Sequence, residues 1–230
     1  MYVKDHMTKD PVCIPPDTSV SKALELMQQG NFHRIPVTNK DGKLLGLITE
    51  GVVTDSSGSN QTSLSIYELN YLLSRTKVEE IMIKDVVSID PDSFVEQAAE
   101  LMLQHEINVL PVLDADQKVI GIITEKDIFQ TFVDLLGLEH QGTKFVFNME
   151  DKPGSLVKAM KLLAENDANV EAAGVYRTSE RGTETFVKAT GEISVEKMTK
   201  IFKDNNITVV NIIQTTKDGM TVSYNPDDLN

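Results

Sequence analysis

One passage is written twice in this chain: NFHRIPVTNKDGKLLGLITE at 31–50 returns as EINVLPVLDADQKVIGIITE at 106–125. Residues 3–53 align without a gap on residues 78–128, at a constant offset of 75, with 22 identities in 51 positions. The matched pairs include Met7/Met82, Asp10/Asp85, Pro16/Pro91, Ala23/Ala98, Met27/Met102, Pro36/Pro111, Gly46/Gly121 and Thr49/Thr124. A match of that density marks an internal duplication, so the fold must contain the same unit twice.

Each copy predicts a βαββα unit. A short strand (12–14, 86–89) runs into Pro-Asp, and Thr18 or Ser93 is placed to cap the helix that follows. VSKALELMQQG sets Val20, Ala23, Leu24 and Met27 at helical spacing, and VEQAAELMLQH does the same with Val95, Ala98, Ala99 and Met102. RIPV and VLPV then predict strands, and NKDGK and DADQK predict hairpin turns. LLGLIT and VIGIIT are almost wholly apolar, as strands covered on both faces are. A second helix starts near Glu50 and Glu125. One such unit leaves a sheet face exposed, so two copies packed about a pseudo-twofold axis bury each other. Between them lies a polar connector, TDSSGSNQTS, and a helix, SIYELNYLLSR, with Ile66, Leu69, Leu72 and Leu73 as a packing stripe.

The pattern changes after the second copy. DIFQTFVDLLG predicts an apolar helix and EHQGT a linker near 139–143. Beyond it, KFVFNME (144–150), the helix LVKAMKLLAEND (156–167), two strands in NVEAAGVYRTSE and RGTETFVKATG, the helix SVEKMTKIFKDNN and the strand ITVVNII give βαββαβ, a ferredoxin-like plan. The expected fold class is α/β (α+β). Expected domains are a first repeat over 1–62, a second over 63–138 that includes the helix at 65–75, a C-terminal domain over 143–217 and a tail over 218–230.

Composition closes off several functions. The 230 residues carry a formal net charge of −13. Residues 1–141 hold 22 acidic and 11 basic side chains, a net of −11, and residues 142–230 hold 13 and 11, a net of −2. An acidic body with no Lys/Arg stripe repels phosphate backbones, which argues against nucleic-acid binding. No apolar run approaches the roughly 20 residues that span a bilayer, and MYVKDHMTKDP has no apolar signal core, so a cytoplasmic, membrane-free protein is expected. Cys13 is the only cysteine and sits in an apolar stretch, where it reads as a small hydrophobe. His6, His33, His105 and His140 have no metal-ligand companions at the usual spacings, so no metal is expected. P-loop, G-x-S-x-G, H-E-x-x-H and dinucleotide glycine motifs are absent, and no enzyme activity is expected.

The M-x4-V start, P-D-x-x-V helix entry, (H/N)-x-(I/L)-P-V strand and G-h-h-T-E ending of both copies resemble a tandem CBS-domain pair, or Bateman module. D-x-P-G-S-L at 151–156, in its place within βαββαβ, resembles an ACT domain. The order of the two resembles the CBS–ACT proteins labelled acetoin-utilisation-like. The first resemblance implies that an adenine nucleotide (AMP, ADP, ATP or a relative) binds in the cleft between repeats. Asp127 would then accept the ribose hydroxyls and Thr124 would lie near a phosphate. The adenine would lie against the segment from Met7 to Val12 and the Phe32–His33 backbone. These roles suit the residue types, because a carboxylate accepts two donors from a vicinal diol and Arg or His donates charge-assisted bonds to phosphate. Asn108 and Val109 occupy phosphate-side positions that lack a cation in this copy. In the first repeat His33 and Arg34 match a phosphate-contacting pair, but Thr49 is followed at the ribose position by Val52, a departure from the pattern. The second resemblance implies an amino acid held by Asp151, Gly154, Ser155 and Leu156, facing strand residues near Glu171–Val175, at the interface of a homodimer.

Blander readings exist for each feature. Asp127 is also the kind of early-helix acid that the helix dipole favours. Arg34 also reads as an ordinary surface arginine, and the Pro-Gly turn with a Ser N-cap as a feature of fold and dimer alone. The leading expectation is a non-catalytic regulatory ligand sensor acting on an unknown regulated protein. The alternative is a constitutive oligomerisation scaffold whose clefts are filled by side chains.

Overall fold

Both copies of the repeat fold alike because the same punctuation recurs at the same places. The computed structural model describes residues 1–57, 66–137, 140–150, 152–179 and 182–229. In the first copy α1 (Val3–His6) and β1 (Thr8–Lys9) precede α2 (Val20–Gly30), β2 (Arg34–Thr38), β3 (Leu44–Thr49) and α3 (Glu50–Ser57). After α4 (Ile66–Arg75), the second copy runs α5 (Val78–Ile81), α6 (Val95–Gln104), β4 (Val109–Leu113), β5 (Val119–Thr124) and α7 (Glu125–Leu135). Asn31 ends α2 in the left-handed conformation (φ 52°), and Glu106 takes the same conformation (φ 53°) after α6. In the hairpins Asn39 Oδ1 accepts from the Asp41 and Lys43 N–H groups, each at 2.9 Å. Asp114 Oδ1 accepts from Asp116 and Lys118 in the same way, at 2.9 and 2.8 Å. These Asx bonds fix the register of β2 on β3 and of β4 on β5.

The two copies exchange their leading arms. β1 pairs with β5, Thr8 opposite Ile122, while Ile83 bridges to Leu47 in β3, the same contact displaced by 75 residues. Val3 N–H donates to the Ser93 carbonyl and Val78 N–H to the Thr18 carbonyl, each at 2.9 Å. Each arm satisfies backbone groups on the other copy, so neither sheet closes alone. This pairing also corrects the expected caps. Thr18 and Ser93 serve the arms through their carbonyls; the helices start at Val20 and Val95 as expected, but their N-caps are Ser19 and Phe94. Ser19 Oγ accepts from Lys22 N–H, and the Gln97 side chain accepts from Phe94 N–H at 2.8 Å. The expected strands at 12–14 and 86–89 reduce to single parallel bridges, Ile14 to Val37 and Ile89 to Val112. In the first copy Pro11, Pro15 and Pro16 flank the segment and supply no N–H to extend a ladder.

Each copy has its own core. Ile14, Val20, Ala23, Met27, Ile35, Val37 and Ile48 pack in the first, and Val3, Ile89, Ala98, Met102, Leu110, Val112 and Ile123 in the second. Leu47, Val109 and Ile122 form a smaller cluster where the copies meet. Gly121 leaves room for Met7, since a Cβ there would overlap the Met7 Sδ, and Gly46 does the same for Met82.

The chain divides into two compact units, Met1–Phe129 and Gln130–Asn230, with the division inside α7. The second unit holds β6 (Gly142–Asn148), α8 (Ser155–Ala164), β7 (Asn169–Thr178), β8 (Gly182–Thr190), α9 (Val195–Asp204), β9 (Thr208–Thr215) and β10 (Thr221–Tyr224). Its antiparallel sheet has the order β10-β9-β6-β8-β7. That is the order of a βαββαβ unit with one strand added at the edge. Phe145 and Phe147, two apart on β6, face the same side and meet Phe202 of α9 edge-on, with centroids 5.3 and 4.9 Å away. Residues 221–224, within the stretch expected as a tail, pair with β9 from Thr221 opposite Thr215 to Tyr224 opposite Ile212. Gly219 (φ 75°) makes the turn into that strand.

Candidate functional site

The expected site positions Thr49, Thr124 and Asp127 lie where β3 and β5 run into helices. Glu50 N–H at the head of α3 donates to the His33 carbonyl at 3.1 Å, and Glu125 N–H at the head of α7 donates to the Asn108 carbonyl at 3.2 Å. Arg34 stands opposite Thr49 in the hairpin and reaches across to the second copy, where its Nη1 donates to the Asn108 carbonyl at 3.4 Å. Burial pulls the Arg34 guanidinium below its usual range, and Glu125 and Glu50 oppose that shift. Its Nε is buried without a hydrogen-bond partner among the described residues. The His33 ring is exposed, with Nδ1 2.8 Å from Glu50 Oε2.

The two Thr-x-x-x turns differ as their sequences do. Asp127 Oδ2 accepts from Thr124 N–H at 2.7 Å and from Thr124 Oγ1 at 2.8 Å, while Asp127 N–H faces Thr124 Oγ1 at 3.4 Å. This reciprocal pair satisfies N–H groups at the start of α7 that have no partner within the helix. In the first copy Val52 N–H still donates to Thr49 Oγ1 at 3.2 Å, but no carboxylate returns the bond.

A cleft of about 680 Å³ opens between the copies, within the range that holds small ligands. Its wall joins Thr49 of the first copy to the arm at Asp85, Val86 and Val87 and to Glu106, Ile107, Asn108 and Val109 of the second. Glu125, Ile128 and Phe129 of α7, Ala99, Met102 and Leu103 of α6, and Leu47 and Ile83 also line it. Of the residues expected from the sequence, Thr49, Asn108 and Val109 line this cleft. Met7, Val12, Phe32, His33, Arg34, Thr124 and Asp127 lie outside its wall. Met7 packs over Gly121, and Phe32 is half-buried against the first core. Val12 is 47% exposed.

The cleft thus opens on the Thr49 side of the pair, not on the side of Thr124 and Asp127. Asp85, Val86, Val87 and Ile107 were not singled out in advance, yet they are the 75-residue partners of Asp10, Pro11, Val12 and Phe32. Applying the repeat offset to the Met7–Val12 and Phe32 positions would have found them. Glu125 closes the G-h-h-T-E ending noted in the sequence, and Glu106 is the offset partner of Asn31.

In the second unit Gly154 (φ 91°), not Ser155, is the N-cap of α8, and Ser155 is its first residue. The capping position falls on Gly154, which has no side chain, so the expected serine cap does not form. Leu156 packs on the core. Asp151 lies outside the described residues. No group of three or more His, Cys, Asp or Glu side chains arranged to hold a metal occurs among the described residues. No helix among them is long and apolar enough to cross a membrane.

A family model described as the CBS domain matches residues 3–56 and 78–134. A CBS domain-containing protein of Dictyostelium discoideum is 34% identical over 142 residues, 59% of this chain and 94% of that relative. The chain belongs to the CBS-domain family. Its CBS pair also resembles part of a homoserine O-acetyltransferase of Methanohalobium evestigatum, 35% identical over 127 residues, 55% of this chain. The chain spans only 23% of that relative's length. Among solved structures, the CBS-domain pair of protein MJ0100 in complex with 5′-methylthioadenosine and S-adenosyl-L-methionine is 27% identical. It superposes with a TM-score of 0.50, covering 58% of this chain and 97% of that one. CBS pairs are regulatory modules, and this chain's duplicated half is one of them.

Proposed function

We propose that the protein is a non-catalytic sensor whose CBS pair binds an adenosine-bearing metabolite in the cleft between its repeats. The observation that carries this reading is the cleft itself. A space of about 680 Å³ is bounded by matching segments of both copies, and a related CBS pair is solved with two adenosine compounds. Its apolar wall suits a purine, and the Thr49 hydroxyl and the Asn108 side chain supply polar groups at one end. A ligand touching both copies changes their relative placement only as far as it binds one arrangement better than another.

The symmetry-related position at Thr124 and Asp127 is the second place for the same ligand class, with Met7, Val12, Phe32, His33 and Arg34 around it. The observation in its favour is that Thr124 already holds the Asp127 carboxylate in one orientation.

The second unit, in this reading, is an ACT-type module that pairs two chains as a homodimer and takes an amino acid at the turn of Gly154, Ser155 and Leu156. Its strand order and the open space around Gly154 support this. A whole-protein role in regulating another protein follows from the same reading.

Thermal unfolding with adenosine, 5′-methylthioadenosine, S-adenosylmethionine, AMP and ATP tests the proposal. A binder at 100 times its Kd adds about 2.7 kcal/mol of stability. If none of these compounds raises the melting temperature, the pair is a scaffold and the sensor reading fails.

A further inference from the structure

We infer that the open cleft takes an uncharged or cationic adenosine derivative and turns away the phosphorylated ones. The inference rests on the reading of the cleft as an adenosine site and deepens it. Among the described residues of the cleft wall the charged ones are Asp85, Glu106 and Glu125, with no Lys, Arg or His. Arg34, whose side chain reaches the Asn108 carbonyl beside the wall, lies in the field of Glu50 and Glu125. Its charge is already matched from two sides. Asp85 and Glu106 have no ion-pair partner among the described residues.

The surroundings reinforce this local sign. Residues 1–129 carry 20 acidic and 11 basic side chains, a net of −9. A phosphate entering the cleft would meet carboxylates across an apolar wall, where like charges repel more strongly than in water. A ribose diol, an ammonium or a sulfonium meets the same carboxylates favourably. Glu106 also sits in the left-handed conformation that Asn31 occupies in the other copy. Asparagine is at ease there and glutamate is not. The chain thus keeps a carboxylate at the cleft where a neutral residue would be easier to hold.

Calorimetric titration of the full chain provides the test, with 5′-methylthioadenosine (uncharged) and S-adenosylmethionine (net positive) as ligands. AMP is read by its ability to displace methylthioadenosine, and the D85N/E106Q variant assigns the displaced ligand to this cleft, since Asp85 and Glu106 line it and the Thr124–Asp127 position does not. The expected result is that both adenosyl compounds bind and that AMP competes at least about tenfold more weakly. In D85N/E106Q that gap closes by on the order of tenfold, with AMP gaining. Should the double variant fail to fold, Asp85→Asn alone is read for the same trend. AMP displacing methylthioadenosine at equal concentration from the wild type overturns the inference and leaves the adenosine reading standing. An unchanged gap in the folded variant overturns it as well. Binding of no adenosine compound removes both.

Discussion

Lys43 and Lys118 face each other across an antiparallel bridge, 75 residues apart in a chain that repeats every 75. Each is therefore the other's counterpart, and the pseudo-twofold axis of the CBS pair passes between them. The flanking bonds obey the same symmetry: Leu44 N–H donates to the Gln117 carbonyl at 3.4 Å and Val119 N–H to the Gly42 carbonyl at 3.0 Å. Two ammonium groups at directly opposed positions repel. Lys43→Glu should raise stability by about 0.5 kcal/mol, and by less at high salt. Equal denaturation midpoints for the variant and the wild type at low salt would show that the two side chains do not sense each other.

Asp127 is the acid of a capping pair, whatever else it does. Asp127→Ala should cost about 1 kcal/mol, because the Thr124 N–H loses its acceptor at the start of α7. A change of that size with unaltered methylthioadenosine affinity would confine Asp127 to a structural role. A loss of affinity larger than the loss of stability would support the second half-site. Urea unfolding and calorimetry on the same variant separate the two.

Much of this was legible in the sequence, and what was missed has physical causes. The repeat offset and the apolar periodicity of both helices fixed the elements. The Asx turns at Asn39 and Asp114 set the hairpin registers. Arm exchange was not legible, because Val3 with Ser93 and Val78 with Thr18 are backbone bonds between distant segments and leave no mark on side-chain type. That same exchange left the capping role to Ser19 and Phe94, one residue after Thr18 and Ser93. The open half of the cleft was hidden for a related reason. A motif search follows Asp127, whereas the room is set by how Val86, Ile107 and Phe129 pack.

Gln117 occupies a left-handed turn position (φ 67°) that its counterpart Gly42 (φ 81°) occupies without strain. Gln117→Gly should stabilise by up to about 1 kcal/mol, the relief of strain being partly offset by the entropy glycine gains when unfolded. The reverse exchange, Gly42→Gln, should destabilise by about the same amount. A loss of stability in Gln117→Gly would mean that the glutamine side chain contributes more than its backbone costs.

Lys188 is a buried cation in the second unit, and burial lowers its pKa against the field of Glu171. Its Nζ donates to the Gly137 carbonyl and, at 2.7 Å, to the His140 carbonyl. Lys188→Met keeps the volume and removes both donors, so two carbonyls lose their partner. A destabilisation of roughly 2–4 kcal/mol is expected. A neutral result in thermal unfolding would mean that solvent reaches these carbonyls once the ammonium is gone.

Burial pushes the Cys13 thiol up, and its Sγ donates weakly to the Pro11 carbonyl at 3.4 Å. The thiolate is the reactive form, so Cys13 should react with a disulfide reagent at neutral pH more slowly than an exposed model thiol. In denaturant the rate should rise to that of the model. Native reactivity equal to the model's would place the sulfur in open solvent.

The most direct measurement is a crystal of the full chain soaked in 5′-methylthioadenosine. The account predicts purine density in the cleft against Val86, Val87 and Ile107, with the ribose end toward Asp85 and Glu106. A cleft that stays empty at saturating ligand, or is closed by Leu103 and Phe129 from its own wall, would contradict it.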